Sequence, residues 1–192
     1  MMKKMKIFTI ATFSVMIAEK SLAAVPTLAL TFDTDVATYS MTSSQEAKIQ
    51  KAEYKIKKVI GSEAFRTRIL NHTYGGVKKF NNNNGLTNSQ IYTKVLEGME
   101  SYFKSKNNSM DLNVKVYYEN SSTVGYTTTT SSYINMNTKF LNTYTSNQVA
   151  RNMTHEWLHK LGFSHAVSYS TSRNYSVPYA IGSIMEELAA KY

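Results

Sequence analysis

The segment THEWLHKLGFSH, at residues 154–165, constrains the fold of this 192-residue chain more than any other feature. It contains three of the four histidines, at His155, His159 and His165. Residues four apart on an α-helix project from the same face, so the first two imidazoles can bind one ion together. A third ligand from the next helical turn would break tetrahedral geometry, and Gly162 can end the helix in left-handed dihedrals. The spacing therefore predicts a three-histidine metal site made by one helix and one turn.

Glu156 lies beside the first of these histidines and is the candidate catalytic residue. A catalytic zinc site has three protein ligands and an open fourth position for water. A carboxylate next to the first ligand can reach that water and act as a general base. A closed structural zinc site, which would need a fourth ligand and would not need Glu156, is one alternative, and a surface helix with fortuitous spacing is the other. We predict one catalytic Zn²⁺ and no other cofactor.

The opposite face of the same helix is predicted to enter the core. Val149, Met153, Trp157 and Leu161 recur every four residues, which is the spacing of an apolar helical stripe. Trp157 is therefore interpreted as a packing residue. A capping box at Thr145–Gln148 predicts where the helix begins.

Apolar periodicity outlines the remaining elements, with no internal repeat and no linker. The predicted strands are Thr27 to Asp33, a segment in which Leu112, Val114, Val116 and Tyr118 share one face, and Tyr133 to Asn137. Three further helices are predicted. The first buries Ile49, Ala52, Ile56 and Val59, and the second is capped by Ser62 and buries Phe65 and Ile69. The third opens with a capping box at Thr87–Gln90 and runs through Ile91, Val95 and Tyr102. This order predicts a single α+β domain.

The first residues have the three parts of a signal peptide: the basic MMKKMK, the apolar IFTIATFSVMIA and the small-residue SLAAVP. The apolar run is too short to span a bilayer comfortably. We predict cleavage after Ala23, with Ala24 as the alternative site, and a mature domain at residues 24–192. An N-terminal strand or core helix is the competing interpretation. The prediction is a secreted or periplasmic protein with no transmembrane segment after leader cleavage.

The net charge and the cysteine content limit which molecules the protein is expected to bind and how it is stabilised. Removing residues 1–23 takes away four lysines and one glutamate, so the formal net charge falls from +9 to +6. The lysines are scattered and no nucleic-acid module is present, so nucleic acid is not a predicted partner. The chain has no cysteine. An exported protein of this kind must be stabilised by core packing and bound ions, without disulfides or thiolate ligands.

The HExxHxxGxxH motif at residues 155–165 matches the metzincin signature at every defining position, and the chain resembles these zinc peptidases. The resemblance implies a compact zincin domain. Its upper subdomain, about 24–164, would contain a twisted mixed sheet, helices and the active-site helix, and its small lower subdomain would cover about 165–192. The resemblance also implies a methionine in a tight turn beneath the metal site. Met185 in GSIME is the candidate, with an ordinary core methionine as the alternative.

The chain departs from the metzincin pattern in two places. The region between the first strand and Met110 is more helical than usual. Glu187 stands where astacin-like and serralysin-like members have a tyrosine. Tyr179 and Tyr175 are candidates for a tyrosine that assists the transition state, although packing or surface exposure is the favoured interpretation of both.

The metzincin plan also implies a substrate-binding sheet edge just before the strand that precedes the zinc helix. Val124 to Thr127 occupies that position, and Gly125 would let a substrate backbone approach closely. A flexible polar loop is an equally good interpretation of the same composition.

The resemblance implies a secreted zinc endopeptidase that acts on protein or peptide substrates, with Glu156 as general base. The predicted cleavage site leaves no room for a conventional pro-segment, so the enzyme is either active on export or restrained by an external inhibitor. One alternative is a zinc hydrolase of a non-protein amide, such as peptidoglycan. The other is a non-catalytic, zinc-stabilised binding module.

Overall fold

The computed structural model describes residues 32–192. The predicted leader at residues 1–23 and most of the predicted strand Thr27 to Asp33 lie outside the described residues. The described part is a mixed α+β fold, as predicted, with one four-stranded sheet and six α-helices. In chain order the elements are β1 (Asp33–Tyr39), α1 (Ser43–Ile60), α2 (Glu63–Leu70), α3 (Asn88–Glu97), β2 (Ser109–Tyr117), β3 (Gly125–Tyr126), β4 (Tyr133–Asn137), α4 (Thr138–Leu141), α5 (Ser146–Lys160), a 3₁₀ turn (Thr171–Tyr175) and α6 (Val177–Ala189).

The sheet has the strand order β1-β2-β4-β3. Strand β1 is parallel to β2, and β2 is parallel to β4. The short strand β3 is antiparallel to β4 and forms one edge of the sheet. Leu112, Val114, Ile134 and Met136 alternate along β2 and β4 and are at most 2% exposed, so one face of the sheet is buried. The strand is shorter than predicted: β2 ends at Tyr117, so Tyr118 lies outside it and is 73% exposed.

The first two helices follow their predicted patterns. Ile49, Ala52, Ile56 and Val59 are fully buried along α1. The Ser62 hydroxyl accepts a hydrogen bond from a backbone N–H in the first turn of α2, as expected of an N-cap.

The third helix is shorter than predicted. The Thr87 capping box is present, but α3 ends at Glu97, so the exposed Tyr102 lies outside it. Gly98 follows with φ +61°, and a Cβ on it would lie 1.9 Å from the backbone oxygen of Ser109. Only glycine fits this left-handed position against the neighbouring strand, so the helix ends there.

Helices α1, α5 and α6 pack against one another and form the main core with the buried face of the sheet. The predicted stripe on α5 is confirmed, since Val149, Met153, Trp157 and Leu161 are at most 2% exposed. The Trp157 ring meets Phe32 edge to face, with centroids 5.9 Å apart. Over residues 32–192, no helix combines the length and the apolar character needed to cross a membrane.

Candidate metal centre

Helix α5 ends in a turn that brings its own C-terminal sequence back towards its ligating face. Gly162 adopts φ +86°, and its N–H donates to the His159 carbonyl at 3.0 Å. The Phe163 N–H donates to the Leu158 carbonyl, also at 3.0 Å. These two bonds form a Schellman motif, and the Phe163 and Leu158 side chains at its two ends are both buried. The turn that Gly162 was predicted to make is therefore present, and it carries His165 back to the helix.

The three predicted ligands come together. The centroids of the His155, His159 and His165 rings are 5.0 Å apart in every pair, and one nitrogen from each ring lies within 4.8 Å of the other two. The Nε2 atoms of His155 and His165 are 3.1 Å apart. Within residues 32–192, no fourth histidine, aspartate or glutamate joins this group. The cluster therefore has the donors of a three-ligand metal site.

Hydrogen bonds on the far side of the rings fix which nitrogens are free. Nδ1 of His159 donates to the Phe163 carbonyl at 2.8 Å, and Nδ1 of His165 donates to the Ala166 carbonyl at 2.9 Å. A carbonyl only accepts, so Nδ1 carries the proton and Nε2 of each neutral ring keeps its lone pair. His155 is hydrogen-bonded to the backbone of Pro178. This arrangement fits a divalent cation such as zinc, because carbonyl partners orient ligating imidazoles in the same way.

Burial favours the neutral form of two of the imidazoles, those of His155 and His159. It lowers the pKa of His155 to about 3, with further lowering from the neighbouring His159, His165 and Arg151. Burial also lowers the pKa of His159. Neutral imidazoles are the forms that bind metal ions, so these two rings can bind one at neutral pH.

Glu156 faces the cleft that contains the histidines, and the residue is 4% exposed. Burial raises the pKa of its carboxyl group to about 7, and the nearby Lys160 and a hydrogen bond from Asn152 oppose that shift. Asn152 precedes Glu156 by one helical turn, so its amide orients the carboxylate. Sequence reasoning missed Asn152, although its spacing of four residues from Glu156 was a readable signal.

The cleft has a volume of about 650 Å³, and the predicted edge segment Val124 to Thr127 forms one of its walls. The two central residues of this segment, Gly125 and Tyr126, form β3 at the edge of the sheet. The structure shows which groups of the chain already lie close to Gly125. A Cβ on Gly125 would lie 2.8 Å from Oδ1 of Asn152 and 2.9 Å from the Asn135 carbonyl oxygen, so the close approach is made by the chain itself.

The two tyrosines that were candidates for assisting the transition state, Tyr179 and Tyr175, lie in different surface clefts. The centroid of the Tyr179 ring is 4.6 Å from those of His155 and His165, and Tyr179 lines the cleft. Tyr175 instead lies 5.4 Å from Tyr74, in a different surface groove.

The predicted methionine turn is absent at its expected position. Met185 is fully buried, but it lies in the middle of α6 and not in a tight turn. The same helix packs closely behind the histidines at Gly182, where a Cβ would lie 3.3 Å from the Arg151 carbonyl oxygen and 3.7 Å from Cβ of His155. Glu187, the departure noted in the sequence, is exposed and paired with Arg68.

Two buried charged residues connect α5 to the rest of the domain, and sequence reasoning found neither. The Lys160 ammonium donates to the carbonyl oxygens of Thr128 and Ser131, just before β4, and of Tyr133, the first residue of that strand. Glu100 accepts a hydrogen bond from the Trp157 indole. The Lys160 bonds fix the ligating helix to the segment that joins β3 to β4, and the Glu100 bond fixes it to the segment between α3 and β2.

Comparisons with known proteins give no relative: no family model matches the chain, and no curated protein or solved structure is significantly similar to it.

Proposed function

We propose that this chain is a zinc-dependent endopeptidase of metzincin type, with Glu156 as its general base. The observation that carries the proposal is the convergence of three imidazole nitrogens beside a buried carboxylate in one open cleft. His155, His159 and His165 would hold the ion. A surface helix with fortuitous spacing would have no reason to place the third histidine, ten residues after the first, in the same cluster.

A zinc ion held by these imidazoles supplies Lewis-acid polarisation of a carbonyl group and a water of lowered pKa. Glu156 then takes a proton from the attacking water and delivers it to the leaving nitrogen. Asn152 holds the carboxylate in position for both transfers. The Tyr179 ring lies against His155 and His165, with its centroid 4.6 Å from each of theirs, and so supports the orientation of these two rings.

An extended peptide is the substrate that this cleft fits best. The wall formed by β3 is a sheet edge, and an extended backbone can add to such an edge as a further strand. This feature favours a peptide over a non-protein amide, which has no strand to pair. A mixed sheet with an antiparallel edge beside the ligating helix is also compatible with the metzincin plan, whereas the helical setting of Met185 is a departure from it. The predicted leader would direct the enzyme out of the cytoplasm.

The first test separates metal binding from turnover. We expect the mature wild-type protein to bind one zinc ion, to cleave members of a diverse peptide library and to lose cleavage in chelator. Glu156→Gln should keep the zinc and lower kcat about 10²-fold or more, because only the proton transfers are removed. Glu187→Gln, which changes an exposed carboxylate outside the cleft, is the matched control.

The ligands have a matched control in the fourth histidine. We expect His165→Ala to lose stoichiometric zinc, measured by metal analysis after dialysis, while His72→Ala retains it. Cleavage by Glu156→Gln at the wild-type rate would contradict the assignment of the general base. Hydrolysis that depends on Glu156 but is confined to peptidoglycan would favour the amide-hydrolase alternative. Unfolding in chelator without any hydrolysis would favour the binding module.

A further inference from the structure

Within residues 32–192, a cationic side chain next to the candidate metal centre has no carboxylate partner. Arg173 belongs to the 3₁₀ turn and lines the cleft. Its guanidinium lies between two tyrosine rings, 4.7 Å from the centroid of Tyr179 and 5.5 Å from that of Tyr169. Because Tyr179 packs against His155 and His165, Arg173 is one aromatic ring away from the metal ligands.

The hydrogen-bonding capacity of this guanidinium is largely unused. Nη1 donates to the Val167 carbonyl at 2.9 Å. Nε is buried and has no acceptor, and no carboxylate of residues 32–192 forms an ion pair with Arg173. The two terminal nitrogens carry four N–H groups, and the bond to Val167 uses one of them, so the guanidinium keeps donors for a ligand. The two tyrosine rings hold the group in place by cation–π contacts, which reduces the entropy it would lose on binding an anion.

The second arginine of the cleft differs in this respect. Nη1 of Arg151 is 2.9 Å from a carboxylate oxygen of Glu186, so its charge is compensated. Among the described residues, Glu156 is the only carboxylate that lines the cleft. Arg173 therefore leaves the cleft with an uncompensated positive charge, close to where a substrate would be cleaved.

We propose that Arg173 binds a carboxylate of the substrate and gives the enzyme a preference for peptides with an acidic group near the cleaved bond. This inference rests on the proposed peptidase function. A guanidinium presents paired N–H donors that match the two oxygens of a carboxylate. The carboxylate can belong to an aspartate or glutamate side chain or to the C-terminus of the peptide, and the test below separates these sources.

The test uses matched peptides that differ only in charge. Peptides with glutamate or glutamine at each position around the cleaved bond are compared, and each is made with a free and an amidated C-terminus. We expect kcat/KM to be about tenfold or more higher for one glutamate peptide, or for the free C-terminus, than for its neutral partner. Arg173→Gln should abolish that ratio, whereas Arg151→Gln should retain it.

A charge reversal keeps the test decisive if Arg173→Gln disturbs the surrounding turn. We expect Arg173→Glu to reverse the preference towards peptides with lysine at the same position, a gain that misfolding cannot produce. A binding assay adds a readout that is independent of turnover. With zinc bound, Glu156→Gln should bind a fluorescent glutamate peptide about tenfold more tightly than the glutamine peptide, measured by anisotropy.

The outcomes separate this inference from the proposal on which it rests. Cleavage that depends on Glu156 but gives equal kcat/KM for glutamate and glutamine peptides, and for free and amidated ends, would overturn the role of Arg173 and leave the peptidase proposal standing. A preference that is lost in Arg151→Gln but kept in Arg173→Gln would also overturn it. Absence of Glu156-dependent cleavage of every peptide would instead reject the peptidase proposal.

Discussion

Glu100 offers a test of the packing beneath α5 that does not depend on the proposed chemistry. Its side chain is 1% exposed and accepts hydrogen bonds from the Trp157 indole and from the backbone N–H of Asp111. Burial outweighs these bonds and raises the pKa of the carboxyl group from 4.5 to about 7. The folded protein therefore holds a proton that the unfolded chain releases between these pH values.

The sign of the effect follows from proton linkage. Where the folded state binds more protons than the unfolded state, the free energy of unfolding falls as pH rises. At about 1.4 kcal/mol per pH unit, ionisation of Glu100 should cost the folded state about 2–3 kcal/mol between pH 5 and pH 8. Glu100→Gln keeps an acceptor oxygen for Trp157 and is neutral throughout, so it escapes this cost.

The assay is urea unfolding of the wild type and Glu100→Gln in chelator, at several values from pH 5 to pH 8. Other groups titrate in this range, so the informative quantity is the difference between the two unfolding free energies. We expect that difference to move by about 2–3 kcal/mol in favour of the glutamine variant as pH rises, and to level off above pH 7. Glu119→Gln, which changes an exposed carboxylate, controls for the substitution. A difference that stays constant across the range would refute the reasoning.

Two further substitutions test how the edge of the sheet is held against α5. For Gly125→Ala we expect kcat/KM on a cleaved peptide to fall about tenfold and the free energy of unfolding to fall by ~1–3 kcal/mol. The reason is that the added Cβ would overlap Oδ1 of Asn152 and the Asn135 carbonyl oxygen. An unchanged kcat/KM would count against this prediction. Lys160→Met should destabilise the fold by ~2–4 kcal/mol and speed amide hydrogen exchange in residues 128–133, because three backbone carbonyl oxygens lose their ammonium donor. Amide exchange at the wild-type rate in these residues would show that the ammonium does not hold this segment.

The parts of the fold that sequence predicted well are those controlled by neighbouring residues. The capping boxes at Thr87 and Thr145 and the turn at Gly162 are all present. Each involves hydrogen bonds within about five residues, so the local sequence contains the necessary information. The end of α3 could also have been predicted, since Gly98 is a common helix-terminating residue, but the apolar pattern through Tyr102 was given more weight.

The expectation for Met185 failed for a different reason. It came from family resemblance, whereas the local sequence VPYAIGSIMEELA contains its own helical signal. Pro178 lies in the first turn, and Val177, Ile181, Met185 and Leu188 follow a helical spacing and are buried. Local periodicity was the better guide to structure here, although the motif was the better guide to which histidines meet.

The buried side chains of Lys160 and Glu100 were beyond prediction because their partners are far away in the chain. Lys160 finds carbonyl acceptors about thirty residues earlier, and Glu100 meets the indole of Trp157 from the segment before β2. Charged residues are ordinarily exposed, and only the three-dimensional arrangement reveals a buried site that satisfies them.

These distant bonds bear on how the metal centre works. Lys160 and Trp157 fix α5 from its far side, and the Schellman turn and the Nδ1–carbonyl bonds set the direction of the rings from within the segment. The chain thus brings one nitrogen of each imidazole within 4.8 Å of the other two. A closed structural zinc would need a fourth protein ligand, and within residues 32–192 no further histidine, aspartate or glutamate joins the three histidines. Three ligands beside a buried carboxylate in an open cleft are what a catalytic ion with an open coordination position requires, and this is why we propose an enzyme and not a zinc-stabilised binding module.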